Sequence, residues 1–396
     1  MLALTGISGY FLSAEPEADA IAYPRVVLDF PTQGGSERTT ELTETIENQL
    51  VRGLNGFGSI RIFDAQSNPP ENSGYIVRLR FLEAAADLIE LRLLDGSSGE
   101  ILWSQELSTR NQEALKLELD KAIVALASNY GKIAQTEMSK AENNYSAGYP
   151  CLIQFDLYVR YREPEKLEPI RKCLQTSVKR FPNDAHLLSV FAFFQNLEQR
   201  PGSQSKTGAS GMDFARQAEV LDHNSAAVNF AVSQSAFLAG DCATGLAWGK
   251  KALELNPLNS RISGYLGLYM IGCKYPGGER YAARALELDP NADLTIAAVV
   301  AFQMLKRGEA EAARELSLEY MASSPRDEPA LQLTYILSSA ILNDRKEAQR
   351  AWKTLAAHFG LPESSPPREV LGQWIVSPNL IHEIMEIFDR TGMFDK

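Results

Sequence analysis

In this 396-residue sequence, four cysteines and four histidines are the side chains whose chemistry depends most on spacing. Cys151, Cys173, Cys242 and Cys273 make no CxxC pair and no Cys/His cluster, which removes zinc. Cys242 and Cys273 stand nearly one repeat period apart, so stacked repeats would bring them to one edge, while Cys151 and Cys173 flank a turn near Glu163-Pro164. Two disulfides fit that arrangement, and with them an oxidising compartment. Four buried free thiols in a cytosolic protein fit the residues as well, and spacing does not decide which cysteines pair. His186, His223, His358 and His382 are far apart, and none has a helical partner at metal-ligand spacing. Gly53-Leu-Asn-Gly56-Phe-Gly58 follows a helix and precedes a strand, the reverse of the order in a phosphate-cradling loop, and reads as a helix stop. Asp29 and Asp64 read as turn-formers at strand ends, Asn144-Tyr145-Ser146 matches a glycosylation sequon, and no Gly-x-Ser-x-Gly elbow occurs. No catalytic residue, metal ligand or cofactor-binding residue is assigned. The expectation is a protein that is not an enzyme and holds no cofactor.

The cysteines sit in the helical half, which is organised by repetition. Ser225 to Pro257 reads as two amphipathic helices joined at Ala239-Gly240-Asp241 and closed by Ala252-Leu-Glu-Leu-Asn-Pro257. Ala285-Leu-Glu-Leu-Asp-Pro290 repeats that phrase, Ala218 to His223 anticipates it, and Tyr320 to Pro325 echoes it. Helix–turn–helix units with a period of roughly 34 residues and a closing proline mark tetratricopeptide repeats (TPR). Small residues fall where paired helices must approach, Ala236, Gly245 and Ala252, then Gly267, Ala282 and Ala285, then Ala301, Ala313 and Tyr320, of which only the last is bulky. A lone hairpin cannot bury its apolar stripe, so the units must stack. The first helices of the units are expected to line an inner groove and to offer Asn229, Ser233, Gln234, Ile262, Tyr265, Tyr269 and Gln303 to a protein or peptide partner.

Ahead of the repeats the pattern shortens. Arg25 to Phe30 and Ile60 to Phe63 read as strands around a helix with Leu42, Ile46, Leu50 and Leu54 on one face, an order that makes a parallel pair. Tyr75 to Leu82, Leu88 to Leu94 and Glu100 to Leu107 read as three further strands joined by short turns, and Asn111 to Ala141 as one long helix. The phrase Leu91-Arg-Leu-Leu-Asp-Gly-Ser-Ser-Gly-Glu-Ile-Leu-Trp-Ser104, with Val26 to Phe30 and Ile60 to Phe63, resembles the TolB N-terminal-like domain. That domain precedes TPR units in bacterial transmembrane regulators and in some adenylate cyclases. Cys151 to Tyr161 and Arg171 to Leu174 are similar to the cysteine-bearing helices that link the two parts there.

The expected fold class is α/β plus all-α, a small TolB N-terminal-like α/β sandwich followed by a TPR α-solenoid. The expected division is a leader or the end of a membrane span at 1–22, the α/β domain at 23–146, a linking helical hairpin at 147–200, the solenoid at 212–362 and a helical cap at 363–396. The Gly/Ser stretch at 202–211 widens one repeat. A net charge of −11 argues against nucleic acid. The repeats point to a non-catalytic sensory or scaffolding module for a protein or peptide partner, and the resemblance implies the setting of a bacterial membrane-linked regulator. Disulfides would place it in the periplasm or otherwise outside the cytoplasm, and the apolar N-terminal run reads as the end of a membrane span, a tether, or as a leader. An accessory region of a signalling enzyme and a free-standing cytosolic assembly factor are the alternatives, and the oligomeric state is open.

Overall fold

The computed structural model describes residues 20–30, 37–65, 74–82, 87–161, 163–198, 210–323, 328–375 and 378–394. The expected leader at 1–22 and the Gly/Ser stretch at 202–211 lie almost wholly outside the described residues. The first part is a mixed sheet of β1 (Arg25–Asp29), β2 (Arg61–Asp64), β3 (Tyr75–Phe81), β4 (Leu88–Asp95) and β5 (Ile101–Ser108), in the order β2-β1-β3-β4-β5. The crossover through α1 (Glu37–Asn55) makes β1 and β2 parallel, as the strand–helix–strand order requires. β1 is also parallel to β3, and β3, β4 and β5 form an antiparallel meander.

Side chains alternate across a strand, and here the alternation sorts them cleanly. Val26, Leu28, Val77, Leu79, Leu91, Leu93 and Leu107 share a core with Ile46, Leu50 and Leu54 of α1 and with Leu115, Leu119 and Ile123 of α2 (Gln112–Ala127). On the other face charges pair in plane, Arg78 with Asp29 at 2.6 Å and Arg92 with Glu90 at 2.8 Å. The single helix expected over 111–141 is two. α2 ends at Ser128, whose backbone is extended (φ −62°, ψ 164°), and α3 (Lys132–Lys140) restarts after Gly131. Gly131 lies so close to the preceding turn that an added Cβ would sit 2.8 Å from the Leu126 carbonyl oxygen, and the break turns Tyr130 inward.

α4 (Tyr149–Tyr161) and α5 (Leu167–Arg180) form the linking hairpin. Cys151 and Cys173 join it as a disulfide with Cα atoms 5.8 Å apart. Five hairpins follow: α6 (Ala185–Glu198) with α7 (Gly211–Leu221), α8 (Ala226–Leu238) with α9 (Cys242–Leu255), α10 (Ser260–Gly272) with α11 (Gly278–Leu288), α12 (Leu294–Lys306) with α13 (Ala310–Ala322), and α14 (Pro329–Ile341) with α15 (Arg345–His358). Each hairpin packs on itself and its first helix packs on the next, so the array is a TPR-like solenoid and the chain an α/β domain followed by an all-α stack. Gly267 marks how tight a hairpin is, since a Cβ there would lie 2.5 Å from the Gly278 carbonyl oxygen of the paired helix. The expected contact residues Ala236, Ala252, Ala282, Ala285, Ala301 and Ala313 are all buried. Gly240 and Gly308 close two hairpins at φ near +84° and +83°, where a side chain would strain the backbone. α16 (Pro367–Leu371) and α17 (Pro378–Thr391) end the array, with Ile384 and Phe388 of α17 buried in the core of the last hairpins.

Candidate interaction site

The inner side of the stack is not an open groove, because α4 lies against it. Phe155 of α4 meets Phe193 and Phe194 of α6 edge-on, at 5.7 and 6.0 Å between ring centres, and Phe193 in turn meets Tyr265 of α10 at 5.5 Å. α4 also touches α12, and one core runs from Cys151, Ile153 and Phe155 through Phe230 and Ile262 to Ile296 and Val300. This changes where the seven expected partner residues stand. Asn229, Ser233, Gln234, Ile262 and Tyr265 are buried, while Tyr269 and Gln303 are partly exposed. The expectation of seven side chains facing solvent is therefore corrected for five of them: their helices are covered on both sides, by their own hairpin partners and by the linking helix.

The buried polar members are bonded inside the protein. Ser233 donates to the Gly245 carbonyl at 2.6 Å, and Asn229 donates to the carbonyls of His223 and Ser225 at 2.9 and 2.7 Å. Asn196 of α6 donates to the Gln234 amide oxygen at 3.1 Å and to the Ser235 hydroxyl at 2.9 Å, and Gln234 donates to the Tyr269 hydroxyl at 2.8 Å. A polar rung thus crosses three successive first helices. Such bonds favour one stacking register, since a slipped helix would leave buried amides unpaired.

A second buried arrangement ties the α/β domain, α4 and the solenoid together. Arg261 of α10 donates to Asp156 of α4 at 2.5 Å, to Asp293 before α12 at 3.2 Å and to the Tyr130 hydroxyl at 2.8 Å. Tyr130 itself donates to Asp293. The carboxylate of Asp293 is 1% exposed, and these donors replace the water it has lost. Burial, reinforced by the nearby Asp293 carboxylate, pushes the Tyr130 hydroxyl well above its ordinary range. Spacing could not have found this cluster, because its members come from four separate segments.

Where the β2 edge of the sheet meets the solenoid, a cleft of about 750 Å³ remains. Arg52, Asn55, Phe57, Arg61, Ile62 and Phe63 form one wall, and the turns at Asn183 to His186, Asp222 to Ala226 and Leu255 form the other. The glycines that read as a helix stop do end α1, but they also let the two parts approach. An added Cβ would lie 2.7 Å from Asn256 at Gly56 and 2.8 Å from His186 Nδ1 at Gly58. Arg61 stacks over the Tyr23 ring at 4.0 Å and donates to the Gly58 and Ile60 carbonyls. Tyr23 donates to Asp184 at 2.9 Å, the same oxygen that caps α6 through the Leu187 amide.

All four cysteines are paired. Cys242 and Cys273 join the start of α9 to the end of α10, with Cα atoms 6.1 Å apart, stapling neighbouring hairpins. Among the described residues no group of three or more His, Cys, Asp or Glu could hold a metal ion, and no helix is long and apolar enough to cross a membrane. No family model and no curated protein matches the chain. Among solved structures it is similar to Pseudomonas aeruginosa PilF, at 19% identity over 56% of this chain and 93% of that one, with a TM-score of 0.38. It is also similar to a chain of the Naa15/Naa10 assembly bound to HypK-THB, at 16% identity over 61% of this chain and 34% of that one, with a TM-score of 0.27. Superpositions this loose add nothing to the architecture above, which stands on its own contacts.

Proposed function

We propose that this chain is a non-catalytic scaffold or sensory module that engages a protein or peptide partner, as the extracytoplasmic part of a bacterial membrane-linked regulator. The observation that carries the reading is the buried Arg261 cluster, which couples a stack of helical hairpins to the α/β domain through α4. A partner held by one part is thereby felt by the other. Tyr269 and Gln303, which keep accessible surface on first helices, are its contacts in the stack. The two disulfides support an oxidising compartment. The phrase from Leu91 to Ser104 supports a TolB N-terminal-like assignment and so the regulator setting, and the apolar run at 1–14 supports a membrane tether.

A photoreactive residue placed at 269 or 303 tests the contact in cells. The expected result is a crosslink to one discrete protein from both positions and none from Leu318, which is exposed on a second helix. Crosslinks from 318 alone, or none from 269 and 303, would discard the contact. Thiol alkylation of the protein from its native compartment tests the setting, and four reactive thiols would contradict it.

A further inference from the structure

We propose that the cleft between β2 and the solenoid turns is a binding site for an extended, acidic segment of a partner protein, which adds to the β2 edge as a further strand. This deepens the scaffold reading by naming a place and a chemistry, and its test does not depend on Tyr269 or Gln303.

Three observations carry it. The first is the template. β2 is an outer strand of the sheet. The Arg61 amide donates to the Pro24 carbonyl at 2.9 Å and the Ala65 amide to the Leu28 carbonyl at 3.2 Å, so both point toward β1. Backbone direction alternates along a strand, so Ile62 between them turns its N–H and C=O the other way, into the cleft. Among the described residues no strand pairs with this side of β2, and an edge of this kind is completed by another extended backbone. The second is the enclosure. The solenoid turns stand across from β2, no residue of β5 at the opposite edge lines this cleft, and a volume of about 750 Å³ falls within the size range of ligand sites.

The third is charge. Arg52 and Arg61 both line the cleft, and among the described residues neither has a carboxylate within ion-pair distance. The acids opposite them are already engaged: Asp184 accepts from Tyr23 and from the Leu187 amide, and Asp222 from the Asn224 amide. Two uncompensated cations in a chain of net charge −11 are a local reversal of sign, and they select an anionic guest. Arg61 is held in place from behind by Tyr23 and two carbonyls, which leaves little side-chain freedom to lose on binding. A carboxylate on the added strand would meet these guanidinium groups while its backbone pairs with Ile62.

The test is selection of a randomised heptapeptide library against the full chain, followed by titration of the selected peptides and hydrogen exchange. Recovered peptides are expected to carry Asp or Glu at one fixed position among β-branched residues. They should lose at least tenfold in affinity with Arg52→Glu, a change at an exposed position in the last turn of α1, and should slow exchange of the Ile62 amide. Arg61→Lys, which keeps the charge, retains most of the binding. Failure to select any acidic motif overturns the proposal. So does binding indifferent to Arg52→Glu, or binding without protection at Ile62. If binding appears only when Glu15→Gln, Glu17→Gln and Asp19→Asn are introduced together, the guest is this chain's own acidic stretch, and a partner-derived strand is overturned.

Discussion

The first three hairpins, α6 to α11, and the last two, α12 to α15, are made of the same kind of unit, yet they are held in different ways. The first three share a core with α4 and are crossed by the Asn196–Gln234–Tyr269 rung. They are also pinned by the Arg261 cluster and stapled by Cys242–Cys273. The last two share a core with the cap, built on Leu337, Trp352, Leu355, Ile384 and Phe388, while α12 also enters the core under α4 through Ile296 and Val300. Their ion pairs, such as Lys306 with Glu383 at 3.2 Å and Lys353 with Glu363 at 2.8 Å, lie at the surface and contribute little. The difference teaches that the repeat sets the shape of the array, while particular residues added to it, together with α4, set where neighbouring hairpins are tied.

The sharpest way to break this comparison is to remove the pin. Arg261→Ala leaves the buried Asp293 and the partly buried Asp156 without their cation and is expected to cost about 3–5 kcal/mol, the usual price of an orphaned buried charge. Hydrogen exchange should rise along α4, α10 and the start of α12 and stay unchanged in α14 and α17. A uniform rise would show that the two halves open as one. Next in size is the staple. Replacing Cys242 and Cys273 together by serine is expected to cost about 2–4 kcal/mol, on the scale of other native disulfides. Denaturant unfolding should then show an earlier transition for the braced half, and an unchanged midpoint would mean the staple adds nothing to the packing already there.

Much of this contrast was legible in the sequence, though unevenly. The closing Pro257 and Pro290, the turn at Gly240 and the small residues at 252, 282 and 285 act locally, so their spacing locates the hairpins. The inward row of strand residues, Val26 and Leu28 or Leu91 and Leu93, likewise obeys a period of two. What acts at a distance was not legible. Arg261 meets Asp156 across 105 positions and Tyr130 across 131, and no local rule relates them. The filling of the groove did leave a sign: α4 is apolar nearly all round, with Cys151, Leu152, Ile153, Phe155 and Val159 buried together, the pattern of a helix enclosed on every side. Gly56 and Gly58 carried two meanings at once, since a helix stop and a close approach ask for the same residue.

The unbraced half offers a smaller perturbation. Ile384→Val trims one methyl from the cap core, at a cost of about 0.5–1.5 kcal/mol. Because no buried residue of α14 to α17 belongs to the core under α4, exchange should quicken in α14 to α17 and leave α6 to α11 as they were. Thermal unfolding followed by a probe at Trp352 and by one at Trp248 should separate by a little more than in the unaltered chain. Equal shifts at both would merge the two cores into one cooperative unit.

The smallest effect concerns the seam where the braced half meets the sheet. Burial lowers the His186 imidazole below its ordinary 6.5, and Arg61 and Arg261 push the same way, against the carboxylates of Asp184 and Asp156. Its Nδ1 has no hydrogen-bond partner among the described residues and faces Gly58. The folded chain therefore keeps His186 neutral at pH values where the unfolded chain takes up a proton there. The stability linked to this residue is complete above about pH 6.5, falls as the pH drops through that value, and levels once the folded form is itself protonated. The slope cannot exceed about 1.4 kcal/mol per pH unit for one proton. Between pH 7 and pH 5 the braced half should lose denaturant resistance faster than the last two hairpins, and His186→Phe should remove that excess. A steeper loss in the last two hairpins, or a slope that survives the substitution, would place the acid-sensitive point away from the seam.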